Sequence, residues 1–175
     1  FVDTNSFGGY LTEVYELHNQ GMRIPDDIRP LPTGAPHDKV VLAVLDGRAD
    51  AGFVRSGVLE DMAAEGKFEL STVRVLNRQP FGDYPHQVST RLYPEFALAA
   101  LPQTSKELQR NMTKYLLGIS SDKALTAANG IYGFDLPANY AAVEQMTLEL
   151  RATRADGTPE FTLPPLRAGD WGRAA

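Results

Sequence analysis

Residues able to bind or move a proton fall at a few places in this 175-residue chain: Asn5 and Ser6 followed by Gly8 and Gly9, then His37, Arg55 with Ser56, and Ser89. Hydroxyls, an imidazole and a guanidinium are all hydrogen-bond donors, and glycines let a ligand approach backbone N–H groups closely. Such a set suits a small oxyanion, whose oxygens are best held by several convergent donors at the positive end of a helix. Catalysis would need an acid, a base or a nucleophile, for which His37 with Asp38 or Asp50 and Ser6 are the candidates. Asp38 follows His37 directly, so on a helix the two side chains diverge. The chain has no G-x-S-x-G elbow, H-E-x-x-H or P-loop, and no catalytic residue is assigned. His18, His37 and His86 share no ligand spacing and there is no cysteine, so neither a metal nor a cofactor is expected.

Composition narrows the partners. A net charge of -5 with no clustered Lys/Arg face excludes a nucleic-acid surface, yet leaves room for a small anionic ligand held by local donors. The longest apolar runs, VVLAVL and FALAAL, are far too short to cross a membrane. No signal peptide is present, and FVDTNS at residues 1–6 reads as the end of a strand, so Phe1 is not expected to be the natural start.

The elements that must position these groups follow from periodicity. Leu11, Val14, Tyr15 and His18 mark a helix ending at Gly21, with Ser6 as a plausible N-cap. Prolines at 25, 30, 32 and 36 make a loop that delivers His37 to a second helix, whose Val40, Val41, Val44 and Leu45 face inward and which Gly47 stops. Ala49 to Val54 is small and apolar and predicts a buried strand of a βαβ unit, with Arg55 and Ser56 at its carboxyl end. Ser56 then caps a helix through Val58, Leu59, Met62 and Ala63, which Gly66 ends. Thr72 to Leu76 predicts another strand, 77–87 an aromatic-rich loop, and PEFALAAL a further buried strand. Thr104 and Glu107 form a capping box before a helix striped by Leu108, Met112, Tyr115 and Leu116 and closed by Gly118. A short helix is expected around Leu125, and a last one starts at Pro137, with Tyr140, Val143, Met146 and Leu150 inward. From Ala152 no periodicity survives.

The order of pieces resembles a family. DTNSFGGYL at 3–11, the H-D-x-V-x-x-A-V-x-x-G-x-A-D-A-G run from His37 to Gly52, VLEDMAAEG at 58–66, STRLYPEFALAAL at 89–101 and G-F-x-x-P-x-x-Y from Gly133 to Tyr140 are similar to the phosphonate, phosphite and phosphate binders of the two-lobed periplasmic solute-binding fold. The likeness is greatest to the variant that serves as a sensor domain before histidine kinases, whose relatives include tetrathionate sensors. The resemblance implies an α/β, type II periplasmic-binding-protein-like fold: residues 1–93 as the second lobe, 94–151 as the strand and helices returning to the first, and 152–175 as a tail that in sensor versions leads toward a membrane helix. It implies that the Asn5–Gly9 turn and His37 hold the anion. Where the family usually has Ser or Thr, this chain has Phe7 and Gly8, which removes two hydroxyls. Where phosphonate binders place an acid for an aminoalkyl group, it has Arg55, Ser56 and Gly57, which favours a wholly anionic ligand such as an oxidised sulfur or phosphorus oxyanion.

Three functions follow from this. The first is a non-enzymatic extracytoplasmic sensor domain for a small oxyanion, feeding a histidine kinase. The second is the substrate-binding component of an ABC transporter. The third is a dimerising interaction half-domain, whose sign would be an apolar patch on the face toward the absent lobe. Six residues also keep plain readings: His37 as a cap of its own helix, Arg55 as a solvated loop charge or a partner of Asp50 or Glu60, Ser89 and Thr90 as plain strand residues, and Tyr93 and Phe96 as core or hinge packing.

Overall fold

The computed structural model describes residues 1–94, 97–119 and 133–151. Phe1–Tyr93 and the chain from Ala141 onward make one unit, and Pro94–Tyr140 makes a second. The helices in chain order are α1 (Leu11–Asn19), α2 (Asp38–Leu45), α3 (Val58–Ala64), α4 (Lys106–Ile119) and α5 (Ala141–Leu150). All but α4 lie in the first unit.

Two apolar clusters organise that unit. Val14 and Tyr15 share one face of α1 and bury against Met146 and Leu150 of α5, each 1% exposed, with Ile24 from the proline-rich loop. Burying a side chain of this size contributes about 1.5–3 kcal/mol. In the second cluster Val41 of α2 meets Val58 and Met62 of α3. The non-helical segment between α2 and α3 runs past both clusters, with Phe53 packed on the first and Val54 on the second. Adjacent residues facing opposite ways is the period of an extended chain. Gly52 is required for α2 to lie this close, since a Cβ there would stand 2.7 Å from Val40 Cγ1 and 3.2 Å from Val44 Cγ2.

Helix ends follow the sequence in part. Gly47 sits at φ 69° after α2, its N–H donating to the Val44 carbonyl and that of Arg48 to the Ala43 carbonyl, the Schellman arrangement that an αL glycine makes available. Serine caps fare less well. Neither Ser6 nor Ser56 caps a helix with its side chain: α1 starts after Tyr10 and α3 after Gly57. Ser105, rather than Thr104, accepts from the Leu108 N–H at the start of α4. Residue 137 lies outside α5, which begins at Ala141.

The expected strands do not form ladders: among the described residues none is assigned to a strand. A strand exists only as half of a hydrogen-bonded pair. The carbonyls of Phe1 and Val2 instead accept from Thr33 and Gly34 of the proline-rich loop, at 2.9 and 3.0 Å. Residues 70–72 form a 3-10 turn at the edge of the expected Thr72–Leu76 strand.

In the second unit α4 begins where the capping signal placed it, within two residues, but its apolar stripe is exposed: Leu108, Met112 and Tyr115 are open to solvent, Tyr115 at 65%, and Leu116 is half-buried. Gly118 lies within α4 rather than ending it. Phe96, the short helix around Leu125 and the tail from Ala152 lie outside the described residues.

Candidate functional site

Three chain segments meet at His37: residues 3–9, the start of α2 and the segment after Val54. Residues 3–6 form a tight turn, in which the Asn5 N–H donates to Asp3 Oδ1 at 2.7 Å and the Ser6 N–H to the Asp3 carbonyl at 3.2 Å. A 3-10 turn, Phe7–Gly9, carries the chain into α1, and the Leu11 N–H donates to the Ser6 carbonyl at 3.0 Å. Phe7 is anchored in the α1–α5 cluster, with its ring 6.2 Å from that of Tyr93 in an edge-to-face contact. The residue that costs the turn a hydroxyl therefore fixes it to the core.

Gly9 is the closest point of the site. A Cβ there would stand 2.5 Å from His37 Cε1 and 2.8 Å from Ser6 Oγ, so imidazole and hydroxyl converge on the space that a side chain would fill. His37 occupies the N-cap position of α2 without capping it. Its ring turns instead to the segment after Val54, where Nδ1 accepts the Arg55 N–H at 3.4 Å. With Nδ1 an acceptor, a neutral imidazole carries its proton on Nε2. Burial, then the nearby Arg55 charge, hold the imidazole below its ordinary value, with Asp3 and Asp38 opposing. His37 is thus a neutral ring offering one N–H donor.

The hydrogen-bond partner of Nδ1 is thus a backbone N–H and not a carboxylate. Asp38 turns to Lys67, whose Nζ donates to Asp38 Oδ2 at 2.6 Å and also pairs with Glu65. A base in nucleophilic catalysis is oriented by an acceptor on its second nitrogen. His37 has a donor there instead, which suits binding.

Ser6, Gly9, His37 and the Arg55 backbone thus come together, with Asn5 and Gly8 in the same turn. Ser56 follows Arg55, but its hydroxyl is hydrogen-bonded to Tyr84 at 3.0 Å. Ser89 shares none of these contacts, and its carbonyl accepts from Asn77 Nδ2 at 3.0 Å. Glu60, weighed as an Arg55 partner, accepts the Gln87 N–H at 3.0 Å.

Two groupings escaped the sequence reading. Tyr84 and His86 of the 77–87 loop close over Ser56 and Gly57, where the only signal was an aromatic-rich loop. Glu16, Arg91 and Tyr93 form the other: Arg91 Nε and the Tyr93 hydroxyl both donate to Glu16 Oε1 at 2.9 Å, and Arg91 lies 5.9 Å from the ring centres of Tyr15 and Tyr93. Burial and the bond to Glu16 push the Tyr93 hydroxyl well above its ordinary value. No spacing rule links residues 75 or more positions apart. Among the described residues no group of acidic or histidine side chains is placed to hold a metal ion.

Comparison with known proteins gives the family. Residues 1–141 match the model of the phosphonate periplasmic substrate-binding proteins of ABC transporters. The chain is 31% identical over 150 residues to a tetrathionate sensor histidine kinase of Salmonella typhimurium, a match covering 86% of this chain and 24% of that protein. It thus spans about a quarter of that relative's length. No solved structure gives a significant match. With the family model covering residues 1–141, this chain belongs to the phosphonate-type periplasmic substrate-binding proteins, a solute-binding and non-enzymatic family.

Proposed function

We propose that the chain is the ligand-binding part of an extracytoplasmic sensor for a small oxyanion and the input side of a two-component histidine kinase. Family membership gives the extracytoplasmic location and the ligand-binding role. The kinase reading draws on the relative named as a tetrathionate sensor. The observation that carries the ligand class is the convergence of Ser6 Oγ and the neutral His37 ring at Gly9, with Arg55 alongside. Gly8 and Gly9 would add backbone donors and Asn5 its side-chain amide, while Arg55, Ser56 and Ser89 would face the far side of the anion. With Arg55 beside the site, a sulfur or phosphorus oxyanion fits better than a ligand with an ammonium group.

On this reading the fold is α/β. Phe53 and Val54 face helical layers on opposite sides, as a strand covered on both faces would. Residues 1–93 would be the second lobe of a two-lobed domain and 94–151 the returning segment, with 152–175 leading toward a membrane anchor. Lobe closure around the anion would carry the signal. The ABC-transporter reading uses the same site and differs only in its downstream partner.

The exposed stripe of α4 favours a second class, an interaction surface or dimer. A thermal-shift screen of the full-length protein against sulfate, thiosulfate, tetrathionate, phosphate, phosphite and phosphonates separates the two. A ligand at a hundred times its dissociation constant adds about 2.7 kcal/mol. A shift with one anion that His37→Ala abolishes supports the binding reading. No shift with any of them, together with a dimer that Tyr115→Lys splits, supports the interaction surface.

A further inference from the structure

We propose that Tyr84 and His86 are positioning residues, which hold Arg55–Gly57 in its ligand-facing form without contacting the anion; this rests on the binding reading above. Loop 77–89 is closed at its base, where the Gln79 N–H donates to the Val88 carbonyl at 2.9 Å and Asn77 Nδ2 to the Ser89 carbonyl at 3.0 Å. Its tip then bears at three points on the turn before α3 and on the first turn of α3 itself. Tyr84 bonds Ser56 Oγ at 3.0 Å. The His86 ring covers Gly57, with Cε1 and Nε2 3.5 Å from where a Cβ would stand, and meets the Tyr84 ring edge-on at 5.6 Å. Gln87 donates its N–H to Glu60, whose other oxygen lies 3.7 Å from His86 Nδ1.

Two features of the turn need such a strap. Gly57 sits at φ 91°, and Ser56 leaves α3 uncapped, so local helix chemistry does not fix the turn. Ser56 is a natural N-cap residue, and in that role its hydroxyl would fold back onto α3. The Tyr84 hydroxyl draws it away, and when Tyr84 donates, Ser56 keeps its own proton for an acceptor such as an anion oxygen. The turn so held also fixes the Arg55 N–H that sets the His37 tautomer.

The test uses the full-length protein, titrating sulfate, thiosulfate, tetrathionate, phosphate and phosphite by calorimetry into wild type, Tyr84→Phe, Ser56→Ala and the double variant. Tyr84→Phe should weaken the bound anion about three- to tenfold, the range of one hydrogen bond. The double variant should be no weaker than Ser56→Ala alone, because Tyr84 acts through Ser56. Unchanged affinity in Tyr84→Phe, or additive losses, overturns the proposal. If wild type binds none of these anions, the binding reading fails separately, and amide exchange of the unliganded protein decides the positioning claim. Faster exchange at 56–58 in Tyr84→Phe, with α1 unchanged, supports it, and equal exchange at 56–58 overturns it.

Discussion

Gly9 and His37 set the chemistry of the site by what each excludes. A methyl at Gly9 collides with the His37 ring and the Ser6 hydroxyl, both movable side-chain ends, so Gly9→Ala should displace the donors while sparing the fold. We expect anion affinity to fall at least about tenfold, the worth of one or two charge-assisted hydrogen bonds, with little change in Tm; calorimetry beside thermal unfolding checks both. His37 also makes stability depend on pH. Its folded-state value lies below the unfolded one, so the unfolded chain takes up a proton first as pH falls. The contribution is complete above the ordinary histidine value near 6.5 and is lost on acidification below it. His37→Gln should therefore flatten the fall in Tm between about pH 7 and pH 5, which thermal unfolding across that range checks.

At the scale of elements, contacts between helices carry the structure. Met146→Ala removes a side chain 1% exposed between α5 and α1 and should cost about 2–5 kcal/mol in denaturant unfolding. Gly52→Ala pushes on Val40 and Val44 and should cost about 1–3 kcal/mol by overpacking, without touching the His37 ring. The inward faces of α1, α2, α3 and α5 were legible in the sequence because helical period and burial coincide there. So was the stop at Gly47, which depends on local backbone alone. The ladders were not, because pairing is a property of two segments and periodicity describes one. Caps failed for a related reason: Ser56 has the residue type of a cap, but Tyr84, 28 positions on, competes for its hydroxyl. Within the site, Ser6, Gly9, His37 and Arg55 could be picked out from residue types beside glycines and helix starts. Ser89 could not be judged that way, and Tyr84 and His86 were invisible because their role comes from a distant loop.

For the molecule as a whole, the contrast lies between a unit whose helices bury one another and a helix that does not. α4 carries apolar residues at helical spacing, Leu108, Met112 and Tyr115, yet exposes them, and Leu98 and Leu101 in the same unit are more than half exposed. We expect the 175-residue chain by itself to self-associate in light scattering, and Leu108→Lys with Tyr115→Lys to shift it toward monomer without unfolding α1 and α5. Anion binding, where measured in the full-length protein, should be insensitive to that pair of substitutions. The chain also holds a spectroscopic probe of its own. It has three histidines, and in His37 one ring nitrogen is tied to a backbone amide while, on the binding reading proposed above, the other would face the anion. The two nitrogens of such a ring resonate far apart in a long-range proton–nitrogen spectrum of nitrogen-15-enriched protein, so occupancy of the site can be read as a shift of one resonance while its partner stays still, with no dye or foreign group introduced.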